Sequence, residues 1–263
     1  MTQQYVSADA ETSVPGTFSE TVSYAFTLYR RYFLLLLPLG LFTHAITEGY
    51  VLYLSRSLDS VMDSVTGLIL FQALSIIVFC WALMFGMRRT HVLETAGWAE
   101  PFKGHPGLVG RIIVLQILCM VLGLAATLPL ILIAQIGGPW PVLILVIAGS
   151  LYLGVRLWLV PAAMGVEDLW PIDAFQRSWA LTSGAPAFFL TLGILAFAMV
   201  AAVLPGVLWK HVLDVAFHPA YLTHDGAALL WWLGAVGVEA AIFPLLVTTG
   251  VAILYALKGR RLC

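Results

Sequence analysis

Charge is what this sequence has least of. Only 10% of its 263 residues are Asp, Glu, Lys or Arg, against about 25% in soluble globular proteins. The net charge is -1, and no basic run is long enough to follow a nucleic-acid backbone, so no nucleic-acid partner is expected. Cysteine is also scarce. Cys80 and Cys119 fall inside apolar stretches and Cys263 is the last residue, which excludes a disulfide framework and reads as apolar filler plus a tail thiol. Catalytic signatures are missing: there is no Gly-x-Ser-x-Gly, no His-Glu-x-x-His and no Gly-rich loop before Lys-Ser/Thr. The histidines, His44, His91, His105, His211, His218 and His224, never stand at the i, i+3 or i+4 spacing that sets two imidazoles on one helical face. His218 and His224 share a loop, where solvation is the ordinary state of an imidazole. No catalytic residue, metal or cofactor is therefore expected.

What the sequence has in abundance is apolar length. Hydrophobic residues make up 61% and the mean hydropathy is +0.95. Six segments, 33–54, 68–87, 112–136, 141–164, 187–208 and 227–257, are mostly uncharged, and each holds the roughly 20 residues that a ~30 Å hydrocarbon slab requires. The expected fold is all-α: a polytopic bundle of six transmembrane helices in a single membrane domain over 18–263. Residues 1–17 are small and polar and are expected to form a disordered tail. They lack the basic flank, apolar stretch and cleavage site of a signal peptide, so the first span is expected to be its own insertion signal.

Orientation follows from the basic residues. Arg30, Arg31, Arg88, Arg89, Lys103, Arg111, Arg177, Lys258, Arg260 and Arg261 fall on one side of the spans. The opposite loops hold only Arg56 and Lys210. The positive-inside rule then places both termini in the cytoplasm of a multi-pass protein, expected in a bacterial inner membrane. Two further segments are helical in pattern but too short to span. Residues 18–32 put Val22, Ala25, Phe26 and Tyr29 on one face, with Ser19 as a candidate N-cap. Residues 171–183 open on Pro171 and put Ile172, Phe175 and Trp179 on one stripe. Both are read as cytoplasmic interfacial amphipathic helices leading into a span. Each precedes an outgoing and a returning span, which suggests an internal repeat of parallel orientation about an axis along the membrane normal.

The second of these helices carries a resemblance. Arg156 late in a span, Glu167 after it, and then Ala174, Ser178, Trp179, Leu181, Thr182 and Gly184 before the next span resemble the hallmark of the glycerophosphoryl diester phosphodiesterase membrane domain. The closing Leu254-Tyr255 with Arg260 is similar to that family's ending, and Tyr29-Arg30-Arg31 fits its opening helix. The resemblance covers most of the chain, with only the central motif distinctive, and implies a stand-alone bacterial membrane relative. The phosphodiesterase chemistry of that family belongs to a soluble barrel with His-Arg-Gly and Glu-Asn motifs. Neither motif occurs in this sequence, and the 88–111 loop is too short to hold such a barrel.

Charged groups within spans cost several kcal/mol unless paired or wetted, and they mark the candidate sites. Arg156 either snorkels to the interface, pairs with Glu167 or Asp168, or holds a lipid phosphate together with Arg177, flanked by Trp170 and Trp179. His44 and Glu48 stand four apart on one helical face, and Glu239 lies at a similar depth in the sixth span. The three form either a structural hydrogen-bonded staple or a site for a proton or polar ligand. Three functions follow: a non-catalytic module binding membrane phospholipid or a membrane protein, in envelope homeostasis or export; a small transporter or channel using Glu48 and Glu239; or an intramembrane enzyme of lipid metabolism. A membrane-protein partner or a homo-oligomer is compatible with each.

Overall fold

The computed structural model describes residues 16–56, 61–95, 110–115, 117, 140–217 and 225–259. Residues 1–15 of the expected polar tail and most of the expected 112–136 span lie outside them. Among the described residues the chain forms seven helices and no strand: α1 (Phe18–Arg56), α2 (Val61–Thr95), α3 (Trp140–Leu157), α4 (Val160–Glu167), α5 (Pro171–Leu181), α6 (Ala185–Phe217) and α7 (Asp225–Gly259). Residues 110–115 are also helical. Four stretches are long and apolar enough to cross a membrane: Phe18–Gly49, Ile144–Glu167, Ala185–Trp209 and Gly226–Gly259. An all-helical chain with four such stretches is consistent with an integral membrane protein.

Local sequence explains how each helix begins and ends. Thr17 and Glu20 form a reciprocal cap on α1: the Glu20 amide donates to Thr17 Oγ1 at 3.3 Å, and Glu20 Oε2 accepts from the amides of Gly16 and Thr17 at 2.8 and 3.0 Å. This arrangement satisfies open amides of the first turn, so Thr17, not Ser19, caps the helix. The 18–32 segment is not a separate element. Ala25, Leu28, Tyr32 and Leu36 keep one buried stripe across its expected end, and no breaker interrupts it, so it forms the first turns of α1.

The apolar stretch 141–164 is broken in the opposite sense. Pro161 has no amide to donate to the Leu157 carbonyl, and the chain turns at Trp158 and Leu159 between α3 and α4. Asp168 then takes a left-handed conformation, φ 57° and ψ 33°, which a short polar side chain tolerates. This turns the chain into α5, whose first turn opens on Pro171 and carries Asp173, both favourable at a helix N-terminus. Gly184, at φ +93°, separates α5 from α6 as only glycine readily does.

Helix α7 is the centre of the bundle. Its apolar window is 78% buried, against 17% for Ile144–Glu167, and it packs on α1, α6, α2 and α4. Phe243, Val247, Val251 and Leu254 carry its core contacts with Leu28, Leu36 and Met87. A second cluster, Met84, Ile112, Leu115, Ala163, Met164 and Ala174, seats α4 and α5 against α2. Apolar side chains left outside, such as Leu34, Leu145, Phe189 and Val200, make the surface that hydrocarbon would cover.

Candidate functional site

The site is built at the break between α3 and α4. The break leaves the end of α3 open, and the Ser178 hydroxyl of α5 donates to the Arg156 carbonyl at 2.5 Å. That bond brings α5 across the base of α3 and places Trp179 and Thr182 beside the Arg156 side chain. Ala174, Ser178 and Leu181 form the buried face of α5, while Ile172 and Trp179 point outward.

The Arg156 guanidinium lies among three rings, 4.9 Å from the centroid of Tyr152, 5.1 Å from Trp179 and 5.5 Å from Phe188. Nη1 reaches the Trp179 carbonyl at 3.4 Å and Thr182 Oγ1 at 3.3 Å, both long for N–H···O bonds. Nε is buried without a hydrogen-bond partner. Such ring contacts hold a cation by roughly 0.5–2 kcal/mol each, without neutralising its charge. A groove of about 450 Å³ opens alongside, lined by Leu153, Leu157, Phe175, Gln176, Trp179 and Ala180, within the ~300–1,000 Å³ typical of small-molecule sites.

The expected pairing of Arg156 with Glu167 or Asp168 does not form. Those carboxylates are taken by other cations. Glu167 accepts from Arg177 through both oxygens, Nε at 2.9 Å and Nη2 at 3.2 Å, and also from Lys258 Nζ at 2.9 Å. Asp168 accepts from Arg111 Nη1 at 2.7 Å and faces Arg88 Nη1 at 3.6 Å. The reason is the break: α4 carries Glu167 and Asp168 away from α3 toward the ends of α2 and α7. Arg177 therefore belongs to an ion-pair hub joining α4, α5 and α7, and only Trp179 of the expected partners stays with Arg156.

Beside this hub stands a polar group that the sequence did not disclose. Glu94 Oε1 accepts from Tyr32 Oη at 2.5 Å and from Arg31 Nη1 at 3.0 Å, and His91 Nδ1 is hydrogen-bonded to Tyr255 Oη. Burial pushes the His91 imidazole below its ordinary value, and Lys258 and Arg88 push it further, against a smaller opposing effect of Glu167. The available signal was spacing. Arg88, His91 and Glu94 stand three apart along one face of α2, and Tyr255 stands three before Lys258.

The other expected cluster is brought together in part. His44 Nδ1 lies 2.8 Å from Glu239 Oε2, and the His44 ring meets Phe243 edge-on with centroids 6.4 Å apart. Glu48, one turn beyond His44, is 3% exposed. Among the described residues no group of three His, Cys, Asp or Glu side chains is placed to hold a metal ion. No family model, curated protein or solved structure matches the chain.

Proposed function

We propose that this chain is a non-catalytic module of the bacterial inner membrane that binds phospholipid at its cytoplasmic side, in the service of envelope homeostasis or export. In this reading the bundle has six spans with both termini inside, α5 lies in the interface with Ile172 and Trp179 toward lipid, and the paired arrangement of spans reflects a parallel repeat. The likeness of the Arg156-to-Gly184 motif to the glycerophosphoryl diester phosphodiesterase membrane domain supports a stand-alone membrane relative without the catalytic barrel.

One observation carries the proposal. Among the described residues Arg156 meets aromatic rings and no carboxylate, and the apolar groove that Trp179 helps to line opens beside it, where an anionic headgroup and an acyl chain meet a membrane protein. Native mass spectrometry of protein extracted with its own lipids tests this. The parent should retain phospholipid, Arg156→Gln should lose most of it, and Arg177→Gln should retain it because Arg177 is held by Glu167. Equal retention by parent and Arg156→Gln would make Arg156 an anchor only.

A second reading, a small transporter or channel, is favoured by the His44–Glu239 contact and the burial of Glu48. Ion-flux measurements in proteoliposomes separate it from the first. A flux present in the parent and lost in Glu239→Gln, with the fold intact, would replace the binding-module reading.

A further inference from the structure

The two carboxylates that follow α4 are matched to their cations unequally. Glu167 meets Arg177 through both oxygens and Lys258 through Oε1. Asp168 gives Arg88 and Arg111 one oxygen, Oδ1, between them. Arg111 holds it closely: Nη1 donates to Oδ1 at 2.7 Å and to the Asp168 carbonyl at 3.0 Å, while Nε is buried without a hydrogen-bond partner. Arg88 Nη1 stands off at 3.6 Å, beyond hydrogen-bond length. Yet the Arg88 and Arg111 side chains are only 23% and 14% exposed. Among the described residues no other carboxylate pairs with either. Glu94 is held by Tyr32 and Arg31, and Asp173 lies on the exposed face of α5. The Trp170 ring, 5.3 Å from the Arg111 guanidinium, supports that cation without neutralising it. Two guanidiniums drawn largely out of water against one carboxylate leave positive charge uncompensated, which is costly until an anion meets it.

We propose that Arg88 and Arg111 bind a phosphoryl group beside Asp168, at the corner where α4 turns into α5. The site shares no side chain with the Arg156 groove and does not rest on lipid binding there. A phosphoryl group suits the place because its several oxygens can meet two guanidiniums at once. Arg88 makes no hydrogen bond among the described residues, and Arg111 spends only Nη1 on Asp168. The depth suits it as well. Arg88 directly follows the expected 68–87 span, Arg111 directly precedes the expected 112–136 span, and Trp170 is exposed beside Arg111. Basic and aromatic side chains gather at that level, where lipid phosphates and soluble anions both reach a membrane protein. The phosphoryl group therefore comes from a phospholipid headgroup or from a soluble phosphate, and the chemistry at the two arginines is the same for both.

Delipidated protein in detergent tests the assignment with two probes. Inorganic phosphate, compared with chloride at equal ionic strength, reads a soluble anion through the unfolding midpoint. Phosphatidylglycerol, titrated and counted by native mass spectrometry, reads a headgroup. At least one probe should bind the parent, and Arg88→Gln should weaken it on the order of tenfold, since one charge-assisted contact is lost. Arg88→Gln leaves the Arg111–Asp168 bond in place, so the corner keeps its fold. Arg30→Gln, on the exposed side of α1, should change neither probe. Asp168→Asn should bind the probe more tightly, because it removes the competing carboxylate and keeps a residue that tolerates the left-handed turn. A purely structural arginine pair would not gain affinity. A phosphate response lost in Arg88→Gln assigns the site to a soluble phosphate. Lipid lost in Arg88→Gln without a phosphate response assigns it to a headgroup, and that loss should add to the loss in Arg156→Gln. Failure of Arg156→Gln alone to lose lipid removes only the groove reading. Parent-like binding of both probes in Arg88→Gln, or binding of neither probe to the parent, would overturn the proposal, as would weaker binding in a folded Asp168→Asn.

Discussion

At the basic end of the bundle one imidazole, His91, stands between the Tyr255 phenol and the cations Lys258 and Arg88. Burial first, and those two charges next, hold its folded-state value below the ordinary 6.5, while Glu167 acts the other way. A histidine whose folded value is lowered stays neutral in the native state while the unfolded chain takes up a proton. The stability it contributes is complete above 6.5 and falls as the pH drops from there toward the lowered value. The unfolding midpoint of detergent-solubilised protein should therefore decline over that window, and His91→Gln should flatten the decline. An unchanged slope in His91→Gln would assign it to other groups.

Glu167 gives a second prediction at this scale. It is 13% exposed and neutralises two cations, which are themselves 34% and 40% exposed. Losing one partner of a fully buried pair costs ~3–5 kcal/mol, and the access of Arg177 and Lys258 to water reduces this. Glu167→Gln should destabilise by about 1–2 kcal/mol. Arg156→Gln, which breaks no ion pair, should cost less in detergent unfolding than it costs in lipid retention.

At the scale of helices, two glycines among the described residues set the closest approaches to a neighbouring backbone. A Cβ on Gly40 would lie 2.5 Å from the Ala240 carbonyl oxygen and 3.0 Å from the Ala240 Cα, so α1 and α7 would have to move apart. A Cβ on Gly165 would lie 2.7 Å from the Met84 carbonyl oxygen, between α4 and α2. Small residues allow such contacts where lipid offers no hydrophobic drive between helices. Gly40→Ala should cost about 1–3 kcal/mol, the usual range for overpacking, and should loosen the His44–Glu239 contact one turn away. Gly149→Ala and Gly154→Ala, whose added Cβ would meet nothing within 4 Å, should leave the melting temperature nearly unchanged. Thermal unfolding of the three variants side by side checks the contrast. Pro161 acts at the same scale, because the break it imposes separates Arg156 from Glu167 and lets Ser178 reach α3.

For the molecule as a whole, α7 gives the simplest test of topology. It runs from Asp225 to Gly259 and is the most buried of the apolar helices. In a cysteine-free background, a cysteine at 225 should react with an impermeant reagent added to intact cells. A cysteine at 259 should react only after permeabilisation. The reverse pattern would invert the proposed orientation, and reaction of both in intact cells would deny that α7 crosses the membrane.

Sequence alone determined the class of structure, because long apolar runs and scarce charge leave helices as the solution for a backbone without water. Helix termini, too, were legible where the chemistry is local, as at Pro171 and Gly184. It also drew attention to Arg156, Trp179, Glu167 and Arg177, since charge beside an apolar span is costly wherever it falls. Which cation meets which carboxylate was decided only in three dimensions. Tyr32 reaches Glu94 across 62 residues, and His91 reaches Tyr255 across 164, separations over which no periodicity carries information. Nor did the pattern decide whether 18–32 continues into the first span, or what would meet the break that Pro161 invites in 141–164. Continuity there depends on which face packs against α7, and the break on whether another helix can satisfy a carbonyl at the open end of α3. Ser178 does so at the Arg156 carbonyl, and that contact leaves Arg156 with aromatic rings in place of a carboxylate.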